Sequence, residues 1–296
     1  MSIEFHGVFT ALVTPFRDGK VDFDVLTSLV ERQIAAGVSG LVPVGTTGES
    51  PTLDSSEHIA VIEAVVSAAS GRVPVIAGTG ANATREALEL TREAGRVGAD
   101  AFLQVAPYYN KPSQEGLFAH FSEVARATEK PIVLYSIPSR CGIEIGIDTV
   151  RRLAEAFPHV RTIKEAGGTV SRVSDLRAAC GESLTILCGD DGLTLPFVAC
   201  GAAGVVSVAS NVAPGVIVRL THAALEGDFK GAEALQRKYY DLLTEAVFLD
   251  GNPVTIKEVM HLAGVLDSPE VRLPLVRTSA KNRDRLRAAI EGLDLA

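Results

Sequence analysis

The 296-residue chain predicts a closed (β/α)8 TIM barrel with a small C-terminal helical domain. Two observations point there: eight short apolar runs rich in β-branched residues, and amphipathic helical patterns between them. Near-continuous apolarity marks parallel strands buried on both faces. Strands alternating with helices imply right-handed βαβ units, and eight of them at this length favour a closed barrel. An open doubly wound sheet is the alternative, but no Gly-x-Gly-x-x-Gly follows the first run, and "GTGANAT" after the third matches it only in part.

The first run is "VFTALVTP" from Val8. The helical pattern after it, "DFDVLTSLVERQIAAG", sets Phe23, Leu26, Leu29, Val30, Gln33 and Ile34 along one stripe. "GLVPVGTT" from Gly40 is the second strand, followed by a helix whose Asp54 and Glu57 are spaced as a capping box. "VPVIAGTG" from Val73 and "AFLQVAP" from Ala101 follow, with the helices "TREALELTREAG" and "SQEGLFAHFSEVARAT" each opening on a cap-type residue. "PIVLYSIP" from Pro131, "VRTIKEA" from Val160, "LTILCGDD" from Leu184 and "AGVVSVASN" from Ala203 complete the eight. Three helical segments then follow, at 230–248, 252–264 and 279–295. The division is a catalytic barrel over 1–228 and a helical appendage over 229–296.

Composition excludes several classes. A net charge of −8 without a basic stripe argues against nucleic acid as a partner. The four scattered cysteines form no CxxC pair, which suits a reducing cytoplasm. The N-terminus shows no basic and apolar signal pattern. Residues 192–218 carry no charge and are long enough to span a bilayer, but Pro196, Pro214 and Asn211 make them read as buried helix, strand and helix, so no membrane association is expected.

Barrel chemistry collects at the C-terminal ends of the strands. Those ends carry Thr46, Thr47 and Glu49; Tyr108 and Tyr109; Tyr135 and Arg140; Lys164; Gly189, Asp190 and Asp191; and Ser210 and Asn211. None of the six histidines falls there, so neither a histidine base nor a His-rich metal site is expected, and the paired aspartates would repel a phosphate. What remains suits imine chemistry. A lysine amine attacks ketones, and burial favours its reactive neutral form. A tyrosine hydroxyl shuttles protons. Gly-Thr-Thr-Gly offers uncharged donors to a carboxylate, and an arginine clamps a second one. Each residue also has a plainer reading: Lys164 paired with Glu165, Tyr135 as core, Arg140 as surface charge.

"GTTGES", "VIAGTGANAT", "APYYNKPSQEGLFAHF", "YSIPSR", "IKEA", "CGDD" and "GVVSVASN" occur in the order found in the dihydrodipicolinate synthase and N-acetylneuraminate lyase family of pyruvate-dependent class I aldolases. The chain resembles this family over essentially its full length, most closely the dihydrodipicolinate synthase branch. The resemblance implies that Lys164 is the Schiff-base lysine, that Tyr135 moves protons, and that Thr46 and Tyr109 complete the relay, Tyr109 from a neighbouring subunit. It implies further that Thr47 contacts the pyruvate carboxylate, that Arg140 receives the carboxylate of L-aspartate 4-semialdehyde, and that Gly189 and Val206 line the pocket by backbone.

The implied product is 4-hydroxy-tetrahydrodipicolinate, on the route to diaminopimelate and lysine, made without metal or cofactor by a cytoplasmic homotetramer. The alternative within the family is a lyase acting on N-acetylneuraminate or a 2-keto-3-deoxy sugar acid; a non-catalytic ligand-binding member is the alternative outside enzymes. An L-lysine feedback site matches at Ser50, His58, Asn82, Glu86 and Tyr108 but departs at Ser55, where lysine-sensitive members often carry histidine. Ser136 and Cys141 depart from the usual asparagine and threonine.

Overall fold

A computed structural model describes residues 3–295. Its eight parallel strands are β1 (Gly7–Ala11), β2 (Gly40–Val42), β3 (Ile76–Gly78), β4 (Ala101–Val105), β5 (Ile132–Ser136), β6 (Thr162–Glu165), β7 (Thr185–Cys188) and β8 (Gly204–Ser207). Seven of the eight junctions are continuous ladders in the order β2-β1-β8-β7-β6-β5-β4-β3. The ring closes between β2 and β3 through a bridge from Leu41 to Val75, reinforced by the Leu41 N–H on Pro74 O and the Gly78 N–H on Pro43 O. Residues 16–17 and 20–21 add a small antiparallel hairpin.

The barrel helices are α1 (Phe23–Ala35), α2 (Ser55–Ala69), α3 (Thr84–Arg96), α4 (Gln114–Arg126), α5 (Ile147–Ala156), α6 (Ser171–Cys180), α7 (Thr194–Ala199) and α8 (Pro214–Leu225). The capping box forms on α2: Asp54 accepts from the Ser56 and Glu57 backbone, and Glu57 reaches back to the Asp54 N–H. Ser113 caps α4. Thr84 does not cap α3; its hydroxyl instead meets His120 Nδ1 at 3.0 Å, and Ala83 holds the cap position without a side-chain bond. The uncharged stretch is α7, β8 and the start of α8, and among the described residues no helix is long and apolar enough to cross a membrane.

Beyond the barrel lie α9 (Phe229–Lys238), α10 (Tyr240–Leu243), α11 (Glu245–Phe248), α12 (Val254–Leu262) and α13 (Ala280–Ile290). The expected single helix over 230–248 is therefore three, broken at Tyr239 and Thr244. The Thr244 hydroxyl donates to Tyr240 O at 2.8 Å, a local bond that competes with helical continuation. Tyr239, Leu242, Val247, Ile256 and Leu286 belong to the same buried cluster as the barrel strands, so the core runs unbroken into these helices.

Candidate active site

Register sets the centre of the site. Tyr135 on β5 is the direct ladder neighbour of Lys164 on β6, which in turn faces Leu187 on β7. Successive side chains on a strand point to opposite faces. Lys164 accordingly turns inward, with its Nζ 4.2 Å from the Tyr135 ring centroid, while Glu165 turns outward. Glu165 binds Arg172 Nε at 2.7 Å and the Gly167 N–H at 2.7 Å, and Arg172 also pairs with Glu144. The plainer reading of a Lys164–Glu165 pair is thus excluded: the neighbouring carboxylate is spent on the far face. Lys164 is 5% exposed, and no hydrogen bond or ion pair holds its amine among the described residues.

A cavity of about 200 Å³ opens at the strand ends, lined among others by Thr46, Ser50, Tyr108, Tyr135, Arg140 and Cys141. Thr46 arrives on a tight loop after β2. Gly48 is required there, because a Cβ would lie 2.8 Å from Val44 N and 3.2 Å from Leu12 O. Arg140 sits on the helical turn Pro138–Cys141, where its Nη2 donates to Asn252 O at 2.8 Å and no carboxylate neutralises it among the described residues. Burial pushes the Cys141 thiol up to about 11, so a protonated thiol stands where the resemblance expects a threonine.

Thr47, Gly189 and Val206 do not line this cavity. Thr47 is buried and its Oγ1 accepts from Asn252 Nδ2 at 2.9 Å. The Gly189 N–H is taken by Glu165 O at 2.8 Å, and a side chain at 189 would meet Ala166 Cβ at 2.6 Å. Val206 is a ladder partner of Phe9, 1% exposed. Asp191 is buried, and its carboxylate takes the Ser207 hydroxyl and the Val208 and Ala209 N–H groups. It stitches β7 to the end of β8, and burial lifts its pKa to about 6.

Tyr109 is 90% exposed, in the left-handed region at φ 75°, and is not among the residues that line this cavity. Its neighbour Tyr108 turns inward. Burial first, then the Glu86 carboxylate, raise the Tyr108 phenol above its ordinary value, and Asn82 contributes a backbone hydrogen bond. Tyr108, Glu86 and Asn82 therefore come together. His58 is committed elsewhere, its Nε2 donating to Gly78 O at 2.8 Å, and burial lowers its pKa.

Residues 4–293 match the Dihydrodipicolinate synthetase family. The chain belongs to that family. It is 50% identical over 287 residues to the 4-hydroxy-tetrahydrodipicolinate synthase of Acidithiobacillus ferrooxidans, covering 97% of this chain and 98% of the relative. Among solved structures, the 4-hydroxy-tetrahydrodipicolinate synthase of the methanotroph Methylacidiphilum fumariolicum superposes with a TM-score of 0.95 at 46% identity, covering 97% and 95% of the two chains. The chloride-inhibited dihydrodipicolinate synthase of Acinetobacter baumannii, complexed with pyruvate, does so with a TM-score of 0.94 at 41% identity, covering 97% and 98%.

Two residues that hold the loop after β2 are not visible in the sequence pattern. Asn252 and Lys257 lie in and just after the turn that opens α12, yet they bond to residues of the Gly45–Glu49 loop. Their motif, "NPVTIK", carries no signal that it folds back more than 200 positions onto the second strand.

Proposed function

We propose that this enzyme, a class I aldolase-type lyase, condenses pyruvate with L-aspartate 4-semialdehyde to give 4-hydroxy-tetrahydrodipicolinate, through a Schiff base at Lys164. The observation that carries the reading is the Lys164 amine: buried, free of hydrogen bonds and ion pairs among the described residues, and lying against Tyr135, a wall of the cavity. Lysine is rarely so buried unless something pairs with it or uses it. The neutral amine attacks the keto carbon of pyruvate; loss of water gives the imine, and loss of a methyl proton gives the enamine. The enamine carbon bonds to the aldehyde carbon, and the substrate's own amine then attacks the imine carbon, closing the ring and releasing Lys164.

Thr47 donates to the pyruvate carboxylate, and Gly189 and Val206 border the pyruvate by backbone beside Lys164. Arg140, unneutralised on the cavity wall, takes the carboxylate of the semialdehyde, which favours this substrate over an uncharged sugar chain. Tyr135 and Thr46 relay the protons together with Tyr109 from a second copy of the chain, so the working unit is at least a dimer, assembled into a homotetramer. L-Lysine binds beside Tyr108, Asn82 and Glu86, with Ser50 and His58 at its margin. The four cysteines are free thiols, which suits the cytoplasm. Residues 229–296 are an appendage that braces a catalytic barrel formed by 1–228.

Incubation with pyruvate and borohydride tests the reading: the expected result is one covalent adduct on Lys164. An unchanged mass, or an adduct on another lysine, overturns it.

A further inference from the structure

The turn before α12 touches both carboxylate-binding candidates at once. Asn252 is 8% exposed; its Nδ2 donates to Thr47 Oγ1 at 2.9 Å and its backbone carbonyl accepts from Arg140 Nη2 at 2.8 Å. Its Oδ1 is buried without a hydrogen-bond partner among the described residues.

A hydroxyl has one hydrogen and two lone pairs. With Asn252 occupying a lone pair, Thr47 keeps its hydrogen free to donate to an anion. Were residue 252 an acceptor, the hydrogen would turn toward it and Thr47 would present lone pairs to a carboxylate, which repels. A neutral amide also avoids setting a fixed anion between two anion sites, as aspartate would. At Arg140 the same residue uses one of five donors and leaves the rest of the guanidinium fork for a ligand. The unpaired Oδ1 is unfavourable in a closed interior, and beside a site that receives an amino acid its donor arrives with the ligand.

We propose that Asn252 is a positioning residue linking the two carboxylate sites, its side chain fixing the Thr47 hydroxyl as a donor to the keto acid and its backbone carbonyl aiming Arg140 at the aldehyde acid. This rests on the assignment of pyruvate to Lys164 given above. It makes α12 part of the active site and splits its effect by substrate. A neutral side-chain replacement disturbs only the pyruvate end, because the carbonyl that holds Arg140 survives it, whereas an aspartate also sets its charge beside the Arg140 site.

The test uses full-length Asn252→Leu and the near-isosteric Asn252→Asp, compared with the parent protein in three readouts: pyruvate affinity by calorimetry, pyruvate dependence of borohydride trapping without the semialdehyde, and steady-state KM for each substrate. The expected result is pyruvate affinity about tenfold weaker in Asn252→Leu and weaker still in Asn252→Asp, matching the loss of one hydrogen bond to a charged group. KM for the semialdehyde moves less than about threefold in Asn252→Leu and rises in Asn252→Asp through the added charge, and thermal melting confirms that both variants are folded. Unchanged pyruvate affinity in either folded variant, or a semialdehyde KM that rises as much as the pyruvate KM in Asn252→Leu, overturns the proposal. A parent protein that binds pyruvate in the calorimeter but is not trapped sinks the Schiff-base assignment alone, leaving calorimetry to decide the role of Asn252. A parent that does not bind pyruvate sinks both.

Discussion

Glu49 and Lys257 form an ion pair in which both side chains are fully buried, joining the loop after β2 to α12. Glu49 sits in the left-handed region at φ 55°, and its other oxygen accepts the Arg272 N–H at 3.1 Å. The Lys257 ammonium donates to Glu270 O at 2.8 Å and lies 4.1 Å from the Phe16 ring centroid. Burial pushes the Lys257 amine down to about 8, with Glu49 and then Glu270 opposing the fall. Thr46 and Thr47 lie just before this anchor, so the loop that brings hydroxyls to the site is held by a charge pair with no access to water.

Removing one partner of a buried pair strands the other, at about 3–5 kcal/mol, whereas replacing both by apolar groups of similar volume is often close to neutral. Lys257→Met is therefore expected to lose about 3–5 kcal/mol in urea unfolding and most of its activity. Glu49→Leu combined with Lys257→Met should recover much of the stability without the activity, because Arg272 and Thr52 lose the carboxylate that holds the loop. A Lys257→Met variant as stable as the parent contradicts the anchor.

Tyr135→Phe keeps the ring that lies against Lys164 and removes only the hydroxyl. If that hydroxyl moves protons, turnover falls about 10²- to 10⁴-fold while melting temperature and the slow formation of a trapped pyruvate adduct persist. A fall in stability equal to the loss of activity would assign the hydroxyl a packing role instead.

His120 is expected to make the fold sensitive to acid. Burial lowers the pKa of His120 to about 4 from the ordinary 6.5, and its Nε2 is buried without a partner among the described residues. The unfolded chain therefore binds the proton more readily than the folded one between those limits. Stability is present above about 6.5 and is lost as pH falls toward 4, with a slope approaching about 1.4 kcal/mol per pH unit for this one proton. His58, also lowered by burial, adds to the loss in the same direction. His120→Leu should flatten the dependence of unfolding free energy on pH across this window. An unchanged slope removes His120 from the account.

The barrel was legible because parallel strands buried on both faces leave near-continuous apolar runs, and the residues at the ends of those runs mark the site. Lys164, Tyr135 and Thr46, read from the sequence in this way, lie at the strand ends, Lys164 against the Tyr135 ring and Tyr135 and Thr46 on the cavity wall. The outward partnership of Glu165 was not, because it depends on the alternation of β6 and on Arg172 of the next helix. Asn252 and Lys257 were missed for a stronger reason: they act through contacts 205 and 208 residues away, in a segment whose own pattern reads only as helix. The breaks at Tyr239 and Thr244 were hidden because the apolar periodicity continues across them.

Tyr109 carries the last prediction. An aromatic residue 90% exposed, in a strained backbone conformation and outside the lining of its own cavity, is incompletely explained within one copy of the chain. If it completes the cavity of a neighbour across a two-fold interface, the two defects Tyr109→Phe and Lys164→Ala can complement each other. In a hybrid dimer, the chain carrying Tyr109→Phe still has Lys164, and its partner supplies the tyrosine, so one of the two sites is whole. Unfolding and refolding an equal mixture of the two inactive variants should produce hybrids as half of the dimers and restore about a quarter of the parent activity. If Tyr109 serves its own chain instead, every site in the mixture lacks either the lysine or the tyrosine. Activity then stays at the level of the separate variants, and a fully active monomer in sedimentation would likewise refute the shared site.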